Sequence, residues 1–163
     1  MVAILTTPIA TTILDEIESR MASITTSNGY NTDVKKITRG QMEPFKGYDL
    51  PAVNIWPSNL TASPMAYDQE KRTLPVFIEI HDLTRDEPFS TVAEKLASDI
   101  VIAINRATTA KKVSDSVSAD LGEIVEEVVF KGYDYEIGQG QKPFCGALVR
   151  FEIVHIADKN SLT

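Results

Sequence analysis

The chain has 163 residues, 43% of them hydrophobic and 24% charged, with a formal net charge of −7. That balance describes one ordinary globular domain, residues 1–163, with enough length for a real core and no sign of a disordered tail. It contains no apolar run near the roughly 18 residues of a spanning helix, and an acidic chain lacks the clustered Lys and Arg that capture DNA or anionic lipid by displacing counterions.

Cysteine usage narrows the chemistry further. Cys145 is the one cysteine, so an internal disulfide and a four-cysteine metal site are both excluded. Beside Pro143, Phe144 and Gly146 it reads as a small packed side chain rather than a nucleophile. Residues 1–10 carry no basic residue and too short an apolar run for a secretory signal, which leads us to expect a protein that stays in the cytoplasm where it is made.

Thr7 followed by Pro8 predicts a helix start, with the hydroxyl as cap and proline preset for the first turn. Ile9, Ile13, Ile17 and Met21 then recur every four residues, opposite Asp15, Glu16, Glu18 and Arg20, and Asn28-Gly29 supplies the turn that ends the helix. Residues 30–39 have the β-branched content of a half-exposed strand. The loop 40–50 that follows holds Pro44, Gly47 and Asp49, yet carries Met42, Phe45 and Tyr48. Such a loop either folds back on its own core or contacts another subunit.

Residues 51–57 form a short strand bracketed by prolines, with Val53 and Ile55 on one face and Ala52, Asn54 and Trp56 on the other. Residues 58–70 are polar and small, and predict a long connection or arm. Asn59-Leu60-Thr61 matches a glycosylation acceptor there, with little weight in the absence of a secretory route. The cleanest period-two segment is 71–83: Leu74, Val76, Ile78 and Ile80 share a face, with Thr73, Pro75, Phe77, Glu79 and His81 opposite.

The run Arg85-Asp86-Glu87-Pro88 predicts a second helix start, and Phe89, Val92, Leu96, Ile100 and Ile104 form its stripe. That helix should end near Ala107, ahead of a polar connection over 108–122. Two strands close the chain. In 123–135 both faces are mixed, whereas in 147–156 Val149, Phe151 and Ile153 oppose Arg150 and Glu152; residues 136–146 read as their hairpin connection. The expected fold is α+β, a mainly antiparallel sheet packed by two amphipathic helices in the order α-β-β-β-α-β-β.

Catalytic signatures are weak. His81 and His155 both lie at the trailing ends of predicted strands, so they are free to meet in space, and with Asp82 or Asp158 they would form a minimal metal or acid–base group. Strand-end histidines are common surface residues, and the chain has no H-x-x-x-H spacing. Gly138-Gln139-Gly140 lacks the third glycine and following helix of a phosphate cradle. The chain has no G-x-S-x-G elbow, and strand alternation puts Glu126 and Glu127 on opposite faces.

Taken together, several segments resemble the tail terminator proteins of tailed bacteriophages. They are the T-x-P-I-x-x-x-I-L-x-x-I opening helix, the Gly29-Tyr30 turn into a Val34/Ile37 strand, Arg39-Gly40, the Leu50-Pro51-Ala52-Val53 strand and the later amphipathic helix. The resemblance covers most of the chain as an order of elements, carried by short motifs. It implies a small α/β domain that forms a ring, commonly a hexamer, on the end of the tail tube, stops tube growth and provides the surface for head joining. The implied partners are copies of itself, the tail tube protein and a neck or head-completion protein, in a virion assembled in the host cytoplasm. DNA would pass through the bore without specific binding, and an acidic lumen would repel its phosphates. No membrane, cofactor or catalytic residue is implied. The candidate interface residues are Met42, Phe45, Tyr48, Trp56, Met65 and Tyr67. Two other readings stay open: another head–tail connector or tail-completion protein, and a small cytoplasmic enzyme using His81 or His155.

Overall fold

Isoleucine and methionine at four-residue intervals give α1 (Ile9–Ala22) a single apolar stripe, and Ile13, Ile17 and Met21 on it are buried. A computed structural model describes residues 8–84, 86–106, 121, 125–138 and 144–159; the hydroxyl cap expected at Thr7 lies outside them. At the described start the Pro8 carbonyl accepts the N–H groups of Thr11 and Thr12, at 2.9 and 3.2 Å. Pro88 plays the same part for α2 (Phe89–Asn105), accepting from Thr91 and Val92. Leu96, Ala97, Ile100, Ala103 and Ile104 bury the stripe of α2, while Phe89, expected to lead that stripe, is exposed.

The strands are β1 (Lys36–Arg39), β2 (Ala52–Pro57), β3 (Thr61–Pro64), β4 (Gln69–Leu83), β5 (Glu127–Gly138) and β6 (Phe144–Asp158). They make one six-stranded sheet in the order β1-β2-β4-β6-β5, with β3 paired to the first part of β4. The fold is α+β with a mixed sheet. Its core face carries Val53 and Ile55, then Leu74, Val76, Ile78 and Ile80, then Ala147, Val149, Phe151 and Ile153, all buried and packed with both helices.

Several details differ from the expectation, the first being that the strand expected over 30–39 occupies only Lys36–Arg39, where pairing with β2 begins. Residues 58–70 contain β3, a strand whose four residues are all exposed and therefore show no burial period. β1 runs parallel to β2, so the chain must return over 40–51 to the end of the sheet where β1 began. In β5 a bulge at Lys131 breaks strict alternation, and Gly132, at φ 115°, supplies a conformation that side chains resist. As a result Val128 and Tyr133, which alternation alone would place on opposite faces, both pack against the core.

Charged side chains inside the fold are tied down. Arg20 of α1, 4% exposed, donates to the carbonyls of Ile104 and Arg106 and to Glu16, closing the C-terminus of α2 with a cation. Asp99 on α2 is fully buried and accepts both the backbone N–H and the side-chain amide of Asn31. The two helices are thereby fixed to one face of the sheet, and among the described residues no helix covers the other face.

Candidate functional site

The return of the chain over 40–51 creates the site. This loop arches across the open face of the sheet and is pinned there by Asn54, whose side chain is satisfied on every side. Asn54 Oδ1 accepts from Gln41 N (3.0 Å) and Thr38 Oγ1 (2.9 Å), and its Nδ2 donates to Gln41 O (3.1 Å) and Glu79 Oε2 (3.3 Å). At the loop's far end Asp49 accepts from Lys36 Nζ (3.0 Å) and from the Lys46 N–H. The Lys36 hydrogen bond, opposed in part by burial, holds the Asp49 carboxyl below the usual range.

Under the arch lies a cavity of about 350 Å³, a size ordinary for a small-ligand or side-chain pocket. Its walls are aromatic: Phe45 from the loop, Trp56 from β2 and Phe144 from β6. His81 lies between two of them, with ring centroids 6.0 Å from Phe45 and 5.8 Å from Phe144. Glu43 and Glu79 are the acidic residues of the lining, and Glu79 Oε2 accepts the Trp56 indole N–H at 2.9 Å.

His81 Nε2 approaches Glu136 Oε2 at 3.5 Å. Burial lowers the His81 pKa, and the nearby Glu79 charge offsets part of that shift, so the imidazole is neutral at pH 7. Burial raises the Glu136 carboxyl, helped by repulsion from Glu79 and Asp134. The close approach of β6 to His81 requires Gly146. A Cβ there would stand 2.5 Å from the Ile80 carbonyl oxygen and 2.8 Å from His81 Nδ1.

Of the expected interface residues, Met42, Phe45 and Trp56 line this cavity, and Tyr48 is exposed on the loop that roofs it. Met65 and Tyr67 do not join them; they occupy the β3–β4 turn at the other end of β4. The histidine pair is not formed. In the β4–β6 register His155 faces Arg72 while His81 faces Gly146, a separation of about 30 Å at the usual rise per residue. Trailing ends of antiparallel strands point in opposite directions, so Asp82 and Asp158 are likewise at opposite ends.

His155 is buried on the core side, and neither ring nitrogen has a hydrogen-bond partner among the described residues. Burial, reinforced by Arg72, lowers its pKa. Cys145 is buried, and burial together with Asp82 pushes its thiol up to about 11, the state of an inert packed cysteine. Among the described residues no group of three His, Cys, Asp or Glu could hold a metal ion. Glu126 and Glu127 are exposed at the start of β5, and Gly138-Gln139-Gly140 runs outside the described residues after Gly138.

Three site residues, Asn54, Glu79 and Glu136, were not singled out from the sequence. The available signal was polarity on the non-core side of strands whose other side is apolar. In comparisons with known proteins, no family model and no curated protein matches this chain.

Proposed function

We propose that this chain is a structural virion protein of the tail-terminator kind, which forms a ring on the end of a phage tail tube, ends its elongation and offers the surface for head or neck joining. The observation that carries the reading is apolar surface with no use inside one chain. Met42 and Tyr48 beside the cavity are 85% and 73% exposed, and Met65 and Tyr67 at the β3–β4 turn are 60% and 99% exposed. Methionine and tyrosine are residues that interfaces concentrate. Two separate patches on one subunit suit a contact between unlike surfaces, the kind that closes rings.

The direct test is electron microscopy of tails assembled with and without this protein. Loss of length control and tails without heads are the expected result; tails of normal length joined to heads in its absence would sink the proposal.

One observation favours an enzyme instead: a neutral His81 close to Glu136, in a cavity that also holds Glu79. No serine, threonine, cysteine or lysine appears among the described residues lining it, and the chemistry this reading assigns is proton transfer by His81 and the carboxylates. A turnover measured on the purified chain and lost in His81→Ala would decide for this reading.

A further inference from the structure

We draw no further inference here: the strongest candidate, the aromatic-walled cavity beneath the loop 40–51 on the open face of the sheet, carries none, because Lys36 and Lys46 stand beside its glutamates and nothing in the structure shows what covers it.

Discussion

Trp56 and Glu79 are joined across the β2–β4 pair on a diagonal: Trp56 is in register with Phe77 and Asn54 with Glu79, yet the indole N–H donates to the Glu79 carboxylate at 2.9 Å. This bond fixes one edge of an indole that lines the cavity, and with the Asn54 amide it gives the carboxylate two donors from β2.

Trp56→Phe keeps an apolar ring in the cavity wall and removes the donor. A hydrogen bond to a charged acceptor contributes about 1.5–3 kcal/mol, so the variant should lose stability in that range. Urea unfolding followed by circular dichroism measures it, and an unchanged midpoint would show that water replaces the indole without cost.

Gly146→Ala places a Cβ against a backbone oxygen and the His81 ring. Overpacking of this kind costs about 1–3 kcal/mol. His81→Ala in the same chain should restore only part of it, because the Ile80 carbonyl still obstructs the new methyl group. A thermal melt of the two single variants and the double variant separates the contributions, and full restoration by His81→Ala would place the whole obstruction at the imidazole.

His155 is held neutral by burial and by Arg72, so its folded pKa lies below the ordinary 6.5. The unfolded chain therefore binds the proton first as pH falls, and stability declines from about pH 6.5 down to the folded pKa, with a slope of up to about 1.4 kcal/mol per pH unit. His81 contributes with the same sign, whereas Glu136, with a raised pKa, acts in the opposite sense above about 4.5. His155→Phe should flatten the acid limb of the stability curve between pH 5 and 7 relative to the wild type. An identical limb would mean that His155 takes up its proton without unfolding.

Arg20→Met preserves much of the buried stem but leaves the Ile104 and Arg106 carbonyls without their cation. The expected loss is about 1–3 kcal/mol per unsatisfied buried group, read as faster hydrogen exchange in the last turn of α2. Exchange there at the wild-type rate would show that Arg20 does not hold this end.

Much of the architecture was legible because burial imposes a period. The four-residue spacing from Ile13 to Met21 and the alternation from Leu74 to Ile80 each predict one buried face, and each is buried. β3 was invisible for the converse reason, since Thr61 to Pro64 are all exposed and nothing but pairing with β4 defines them. Strand direction also leaves no mark in local pattern. The parallel β1–β2 pair and the separation of His81 from His155 are both consequences of chain path. The cavity combines residues as distant as Gln41 and Phe144. Hydrophobic bulk in the loop 40–50 announced half of it, and the Glu79 carboxylate was hidden among ordinary strand polar positions.

The longest ladder in the fold joins β4 to β6 through fifteen residue pairs, from Gln69↔Asp158 to Leu83↔Phe144. Its two halves are separated in the chain by α2 and β5, and pairings between such remote segments form late because the intervening polymer must first be gathered. A nascent chain emerging from a ribosome will therefore hold its greasiest strand unpaired along one side until residue 158 is free. Co-translational chaperone protection should be needed over that interval, and a translational pause placed between residues 83 and 144 should raise the fraction lost to inclusion bodies.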